Sequence, residues 1–284
     1  MTAYPIARPR LRTASSATGI ARAASQALLG ELACYPKPGL VSFVDNGAHE
    51  DMNAATFLAS IDALHGYFQA IAAAGVARAG FDALRDLGLR AEQDMLAATG
   101  GVNTHRGAIF AIGFLAAAAG RLIAMGQRPR PARVAAAVGL LWGREIAAAH
   151  GDGDSHGATV ASRYGAGGAR AQAAAGFPVL RRAVLPAMAA TRMRGGDPDA
   201  VALDGFFASL ATLEDTNLLY RGGPTGLDWA RAEAAAWRRA GGALAADGKA
   251  RAIALHQAHT ARNLSPGGSA DMLSAALFLT GLEG

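Results

Sequence analysis

The sequence predicts an all-α protein built as a single multi-helix domain. Apolar residues recur at steps of three and four along most of the 284 residues, and no convincing run of alternating β-branched residues predicts a strand. Alanine, the strongest helix former, is abundant, and 51% of the residues are hydrophobic, which is enough for a sizeable core. No linker-like stretch divides the chain. We therefore predict one helical domain over 14–284, preceded by a flexible basic tail over 1–13.

The first predicted helix runs from about Ser15 to Cys34, because Pro36, Pro38 and Gly39 follow it and would stop it. The second helix has the clearest periodicity, since five large apolar residues repeat at steps of four, three, four and three. These residues are Phe57, Ile61, Leu64, Phe68 and Ile71. Further helices are predicted at 81–98, 104–124, 131–149, 156–175, 178–194, 198–213, 224–245, 248–262 and 268–282.

Charge and composition narrow the range of partners. The formal net charge of +5 favours polyanions, and the dispersed arginines favour nucleotide phosphates over nucleic acid, which usually binds a dense basic stripe. Cys34 is the only cysteine, which excludes an internal disulfide and is typical of a cytoplasmic protein. The longest apolar run, between Arg106 and Arg121, is shorter than the roughly 20 residues of a membrane span. We therefore expect a buried helix there and no membrane partner.

The joins between helices are the unusual part of the chain. Four of them are rich in glycine, asparagine, acidic residues, histidine and arginine, a polar density that packing alone rarely requires. Functional side chains tend to lie on loops that a rigid scaffold holds, so we expect these joins to meet at one site. They are 36–51, 99–107, 214–223 and 263–271.

The join 99–107 leads into a strongly apolar helix. Gly100 and Gly101 would let backbone amides approach a ligand, and the positive end of the helix would attract a phosphate. Arg106 would add charge-assisted hydrogen bonds. The structural alternative is a glycine turn followed by a helix that Asn103 caps.

The join 263–271 has the same design, with Gly267 and Gly268 turning into an apolar helix. Asp271 in the first turn of that helix suits the helix dipole without any function. Alternatively, Asp271 holds a metal ion beside a phosphate.

In the join 214–223, the acids Glu214 and Asp215 are predicted at the C-terminus of a helix. Negative charge there opposes the helix dipole, and a bound cation would offset the cost. Magnesium is the expected cation, because it takes oxygen ligands and bridges to phosphates. The structural alternative is a solvated turn.

In the join 36–51, Lys37 lies between two prolines, which stiffen the backbone and place its ammonium group well for an anion. Asp45 and Asp51 are candidates for metal binding or for a catalytic base, and His49 titrates near neutrality. The structural alternative is a surface loop in which Asp51 caps the next helix.

A weaker polar segment spans 152–170, where the charged residues are dispersed and a structural role is favoured. Arg163 stands where a calcium-binding EF-hand loop needs glutamate, which excludes that motif. His256 and His259 share one helical face, but no third metal ligand lies nearby in sequence. The chain has no Walker motif, no G-x-S-x-G turn and no H-E-x-x-H motif.

Five blocks of the sequence form a recognisable series: PKPGLVSFVDNGAHEDMN, TGGVNTHRGAIF, RYGAGGARAQAAAGFP, EDTNLLYRGG and RNLSPGGSADML. In order and spacing they resemble the triphosphoribosyl-dephospho-coenzyme A synthase family over about residues 20–282. Two positions depart from the family pattern. Tyr220 stands where many members have histidine, and Asp154-Ser155-His156-Gly157 replaces a common Thr-His-Gly. Tyr220 is therefore left out of the predicted site.

The resemblance implies an all-α, magnesium-dependent transferase. It implies transfer of the triphosphoribosyl group of ATP to the ribose 2′-hydroxyl of 3′-dephospho-coenzyme A, with release of adenine. The product would be a prosthetic-group precursor that another enzyme, a holo-carrier-protein synthase, attaches to an acyl carrier protein. The length of the chain resembles the member that serves malonate decarboxylase more than the citrate lyase member. A homodimer is left open.

Within this implied reaction, we hypothesise a role for each polar group. Asp215 and Asp271 are expected to hold magnesium, with Asp51 as a further candidate. His49, His105 and Asp51 are the candidates for proton transfer. The remaining residues are expected to bind the substrates and their phosphates. They are Lys37, Gly100, Gly101, Asn103, Arg106, Asn217, Arg221, Arg262, Asn263, Ser265, Gly267 and Gly268.

Two other functions are compatible with the sequence. A magnesium-dependent N-glycosidase of the ADP-ribosyl hydrolase type would use similar acids, with water as the acceptor. A non-catalytic helical module would bind a nucleotide or a carrier protein and release nothing. Release of adenine that depends on the acceptor distinguishes the three.

Overall fold

A computed structural model describes residues 16–149, 160 and 166–283. The predicted tail at 1–13, the segment with Asp154, His156 and Arg163, and residues 156–159 and 161–165 of the helix predicted at 156–175 lie outside these residues. Within the described residues all regular structure is helical and no strand occurs, so the all-α prediction is confirmed.

Eleven α-helices lie in the described part of the chain, and most begin and end within two residues of the predicted bounds. They are α1 (Ala17–Ala33), α2 (Ala54–Val76), α3 (Phe81–Ala98), α4 (Arg106–Ala124), α5 (Pro131–Ala148), α6 (Gly168–Ala174), α7 (Leu185–Met193), α8 (Pro198–Leu210), α9 (Thr216–Arg239), α10 (Gly248–Ala261) and α11 (Gly267–Gly281). A π-helical segment, Leu180–Val184, precedes α7, and a 3₁₀ turn, Gly242–Leu244, follows α9.

The start of α9 differs clearly from the sequence prediction, which placed it at 224. The helix begins at Thr216, because the carboxylate of Asp215 accepts hydrogen bonds from the first free backbone N–H groups. Gly223, at φ 60° and ψ −168°, breaks the helical path before Pro224, and the helix then resumes. Most of the predicted loop 214–223 is therefore a first helical segment, and its side chains have fixed directions.

Helix α4 lies at the centre of the larger core and packs against α1, α2, α3, α5 and α11. Glycines let α2 and α4 approach closely: a Cβ on Gly75 would lie 2.1 Å from the carbonyl oxygen of Ala117. By length and composition α4 could cross a membrane, but 72% of its apolar window is buried inside the protein. The prediction of a buried helix between Arg106 and Arg121 agrees with this burial.

A second core lies between α8, α9 and α10, where the rings of Phe207 and Trp237 stack with their centroids 3.9 Å apart. Helix α11 joins the two cores, since Met272 belongs to the first and Leu273 to the second. This double contact fixes the N-terminal half of α11 beside the start of α4. The polar joins that precede these two helices are thereby brought together.

Candidate active site

All four predicted joins contribute to one cavity of about 360 Å³. The side chains that line it come from the loop between α1 and α2, the loop before α4, the first turns of α9, and the start of α11. The predicted site residues among them are His49, Asp51, Gly101, Asn103, His105, Asn217, Arg221, Ser265, Gly267 and Asp271. The lining residues that were not predicted are Glu31, Leu40, Val41, Met52, Phe57, Val102, Thr104, Tyr220, Ala270 and Ser274.

Asp271 faces the cavity from the second turn of α11 and lies directly against the N-terminal turn of α4. A Cβ on Gly107 would lie 1.9 Å from Oδ2 of Asp271, so any larger residue there would displace the Asp271 side chain. Burial raises the pKa of Asp271 well above its ordinary value, and the carboxylates of Asp215 and Glu31 add to the rise. The backbone N–H of Ala108 opposes it by donating to the carboxylate. Asp271 therefore lies close to other buried carboxylates, and it makes no ion pair with a cationic side chain in the described part of the chain.

Asp215 lies behind the cavity wall and does not line it. Its Oδ1 accepts from the N–H groups of Asn217 and Leu218, and its Oδ2 accepts from the N–H and hydroxyl of Ser269. Burial raises its pKa, and the hydrogen bonds from Ser269 lower it in part. The expectation that this acid opposes a helix dipole is wrong, because Asp215 caps the N-terminus of α9, where the dipole favours negative charge.

Through these hydrogen bonds, Asp215 connects the N-terminus of α9 to that of α11. We therefore expect Asp215→Asn to lower the free energy of unfolding by roughly 1–3 kcal/mol. An amide has one accepting oxygen, so its NH₂ group would face the donors of Ser269. Chemical denaturation measures the loss. The matched control is Asp197→Asn at the N-cap of α8, whose carboxylate accepts only from Ala200 and which asparagine replaces well. Equal stability of the two variants would contradict this stabilising role of Asp215.

His49 connects three of the joins. Its Nδ1 lies 3.3 Å from Nη2 of Arg221, which can only donate, so Nε2 carries the hydrogen and donates to Oγ of Ser265 at 2.8 Å. Burial and the charge of Arg221 lower the pKa of His49 and favour this neutral form, although Asp51 opposes the change from 3.4 Å. Arg221 also donates to the carbonyl of Ala48 and to Oδ1 of Asn263. Asn263 thus positions Arg221 without lining the cavity.

His105 lies at the start of α4 and is 3% exposed. Its Nδ1 is 2.7 Å from the hydroxyl of Ser60, and its Nε2 is buried with no partner among the described residues. Burial, with the nearby charge of Lys37, lowers the pKa of His105 to about 3. The ring is therefore neutral at physiological pH and offers a hydrogen-bonding nitrogen rather than a cationic acid.

Lys37 is placed outside the cavity. Its side chain is fully buried and its Nζ lies 2.6 Å from Oε1 of Glu31, whose backbone carbonyl it also contacts. The ammonium group expected to bind a phosphate is thus occupied by an internal ion pair, and Glu31 is the member of the pair that faces the cavity. Glu31 shares the buried face of α1 with Ala24 and Leu28. An acidic residue at an apolar position of the helical repeat is the sequence feature that could have identified Glu31 as a site residue.

The other predicted binding residues outside the cavity have identifiable contacts. Arg106 pairs with Glu92 at 3.0 Å, and the guanidinium of Arg262 lies 4.4 Å from the ring centroid of Trp229. Gly268 packs against the carboxylate of Asp215, where a Cβ would lie at 3.2 Å. Gly100, at φ 67°, makes the turn before α4. In this arrangement these groups shape the site from outside it.

The acids around the cavity fit magnesium that arrives with a nucleotide better than a resident metal. No three acidic, histidine or cysteine side chains in the described part of the chain lie close enough to hold a metal ion. Magnesium, however, needs only one or two carboxylates when phosphates and waters supply its other ligands. Asp271 meets that need, because its carboxyl group faces the cavity.

Comparison with known proteins shows to which family this chain belongs. The family model described as ATP:dephospho-CoA triphosphoribosyl transferase matches residues 17–284. The 2-(5''-triphosphoribosyl)-3'-dephosphocoenzyme-A synthase of Klebsiella pneumoniae is 38% identical over 285 residues, covering 96% of this chain and 94% of its own length. Probable synthases of the same name from Stutzerimonas stutzeri and Pseudomonas paraeruginosa are each 40% identical and cover 93% and 92% of this chain, and 92% and 89% of their own lengths. No solved structure matches the chain.

The matched region contains every residue that lines the cavity, and the relatives align over nearly their full lengths. The likeness therefore extends to the whole helical scaffold and to all four joins. The chain belongs to the ATP:dephospho-CoA triphosphoribosyl transferase family and is a transferase.

Proposed function

We propose that this protein transfers the triphosphoribosyl group of ATP to the ribose 2′-hydroxyl of 3′-dephospho-coenzyme A and releases adenine. The observation that carries the proposal is a single cavity in which the carboxylates of Asp51 and Asp271 lie with the guanidinium of Arg221. Such a cavity offers partners both for a polyphosphate and for the positive charge that develops on a sugar. The family match supplies the nucleotide and the acceptor.

In this reaction the bond between C1′ of ATP's ribose and the adenine nitrogen breaks, and a bond between C1′ and the acceptor oxygen forms. Adenine leaves with the bonding electrons and takes up one proton, and the proton of the 2′-hydroxyl passes to a base, so the overall reaction neither gains nor loses protons. Positive charge builds up on the ribose in the transition state, as in glycoside hydrolysis. Carboxylates at the cavity wall would stabilise that charge more strongly there than in water.

We assign the base to Asp51, whose side chain is 61% exposed at the cavity wall and within reach of an entering hydroxyl. Neutral His49 positions Arg221, because its Nδ1 accepts a hydrogen bond from the guanidinium. Arg221, Asn217 and the backbone at Gly101 and Gly267 would bind the phosphates, with Asn103 and Ser265 as further polar contacts. Asp271 would hold magnesium, and Asp215 would fix the helix that carries it. Magnesium, when bound, would neutralise phosphate charge.

We further propose that the product is the prosthetic-group precursor of a malonate decarboxylase acyl carrier protein, made in the cytoplasm. The sequence resemblance supports this placement. The measurement is attachment of the product, by the holo-carrier-protein synthases of malonate decarboxylase and citrate lyase, to their respective carrier proteins. Failure of the malonate decarboxylase synthase to attach the product to its carrier protein would contradict the proposal.

The proposed function predicts that purified protein, incubated with ATP, 3′-dephospho-coenzyme A and magnesium, releases one adenine for each acceptor consumed. Liquid chromatography with mass detection measures adenine, ADP, AMP and the adduct together. Omission of the acceptor is the control and should abolish adenine release. Adenine formed equally without acceptor would indicate a hydrolase. ADP or AMP as the product would exclude this transfer, and binding without release would indicate a non-catalytic module.

A further inference from the structure

One corner of the cavity is apolar. Leu32, Val41 and Phe57 form a small hydrophobic cluster separate from the two main cores, and Met52 packs against it. Val41, Met52 and Phe57 also line the cavity. A cluster beneath surface loops that turns apolar side chains toward a polar cavity offers a contact surface for an apolar part of a ligand.

Two buried polar atoms also belong to this cavity and have no hydrogen-bond partner among the described residues. They are Nε2 of His105 and Oγ1 of Thr104. The His105 ring meets the Phe57 ring edge-on, with centroids 4.9 Å apart, so His105 adjoins the apolar cluster. A buried polar atom without a partner is costly, and folded proteins retain few of them. Here both atoms lie where a ligand would supply the missing bonds.

We propose that Val41, Met52, Phe57, Thr104 and His105 form a base pocket that binds the adenine ring of a nucleotide substrate. A purine needs apolar contacts on its faces and hydrogen-bond partners at its edge, and this corner supplies both. A phosphate or a ribose would instead favour the charged groups of the cavity, Arg221 and Asp271. The inference rests on the proposed function, because both proposed substrates carry adenine.

The adenine could come from ATP, where it is the leaving group, or from the acceptor, where it stays attached. Both share the same ring chemistry, so the test has one arm for each. Calorimetric titration of the full chain with ATP and, separately, with 3′-dephospho-coenzyme A gives the two dissociation constants. Thr104→Val removes the hydroxyl and keeps the shape of the side chain. Thr280→Val is the matched control, because its hydroxyl bonds only within α11.

We expect Thr104→Val to raise the dissociation constant of one of the two nucleotides by about 3- to 10-fold, because one hydrogen bond is lost. The dissociation constant of the other nucleotide should change by less than about twofold. Loss for ATP assigns the pocket to the leaving base, and loss for 3′-dephospho-coenzyme A assigns it to the acceptor. Met52→Ala, at a half-buried position, should weaken binding of the same nucleotide. Thr280→Val should leave the affinity for both nucleotides unchanged.

Unchanged affinity for both nucleotides in Thr104→Val and Met52→Ala would overturn the base pocket, and so would an equal loss for both. These outcomes are distinct from failure of the proposed function. A protein that releases adenine but whose two variants bind normally has the transferase activity without this pocket. A protein that releases no adenine fails the proposed function, whatever the titrations give.

Discussion

Lys37→Met is expected to lower the free energy of unfolding by about 3–5 kcal/mol, which is a large share of the stability of a typical domain. Lys37 is fully buried, and its ammonium group is the ion-pair partner of Glu31, which is 4% exposed. Methionine fills much of the same volume but leaves the Glu31 carboxylate buried and uncompensated. Chemical denaturation followed by circular dichroism measures the change.

The chain provides a matched control in Lys249→Met, because Lys249 is exposed at the start of α10 and its loss should change stability by less than about 0.5 kcal/mol. Glu31→Gln combined with Lys37→Met should recover much of the stability, since no charge is then left unpaired. If Lys37→Met were as stable as Lys249→Met, the ion pair would not be a structural requirement. Lys37 would then be available to bind a phosphate.

Asp271→Asn is expected to lower kcat by about 10²- to 10⁴-fold, because several kcal/mol of charge stabilisation would be lost with the carboxylate proposed to hold magnesium. Asparagine has nearly the same shape, so the contact with Gly107 and the cavity volume should persist. The acceptor-dependent release of adenine at saturating ATP and magnesium measures the effect. Asp228→Asn, on the exposed side of α9, is the control and should leave kcat unchanged.

Stability provides a second readout for Asp271→Asn. Burial and neighbouring carboxylates raise the pKa of Asp271 in the folded protein, so the folded state binds this proton more tightly than the unfolded state. The resulting stabilisation is complete below the ordinary pKa of about 3.8 and is lost as pH rises through the raised value. Without magnesium at neutral pH, Asp271→Asn should therefore be at least as stable as the parent. A variant that is both less stable and inactive would point to a structural role instead.

The position of the site follows from the way in which the two cores share α11. Met272 packs into the core around α4, and Leu273 packs into the core of α8, α9 and α10. Asp271, the residue before them, is thereby held against Gly107 at the start of α4. Ser269, two residues earlier, is bonded to Asp215 at the start of α9. Three helix N-termini thus meet at one cavity, an arrangement that favours anionic ligands.

The amino-acid sequence is sufficient to predict the helical architecture, because the spacing of apolar residues indicates which face of each segment must be buried. Phe57, Leu64 and Phe68 predicted α2 in this way, and all three are buried. The polar joins were equally visible, since proline, glycine and asparagine interrupt the periodicity. The concentration of polar residues in four joins could therefore be predicted from the sequence alone.

The three-dimensional structure is needed to show which polar groups face the cavity and which form contacts that stabilise the fold. Lys37 and Asp215 lie in predicted site loops, yet each has a partner inside the protein. Lys37 forms an ion pair with Glu31, and Asp215 accepts a hydrogen bond from Ser269. Glu31, in contrast, lies within a helix and faces the cavity. The physical reason is that burial and partnership depend on contacts between residues far apart in the chain. Local spacing fixes the direction of a side chain on its own helix but not what lies opposite it.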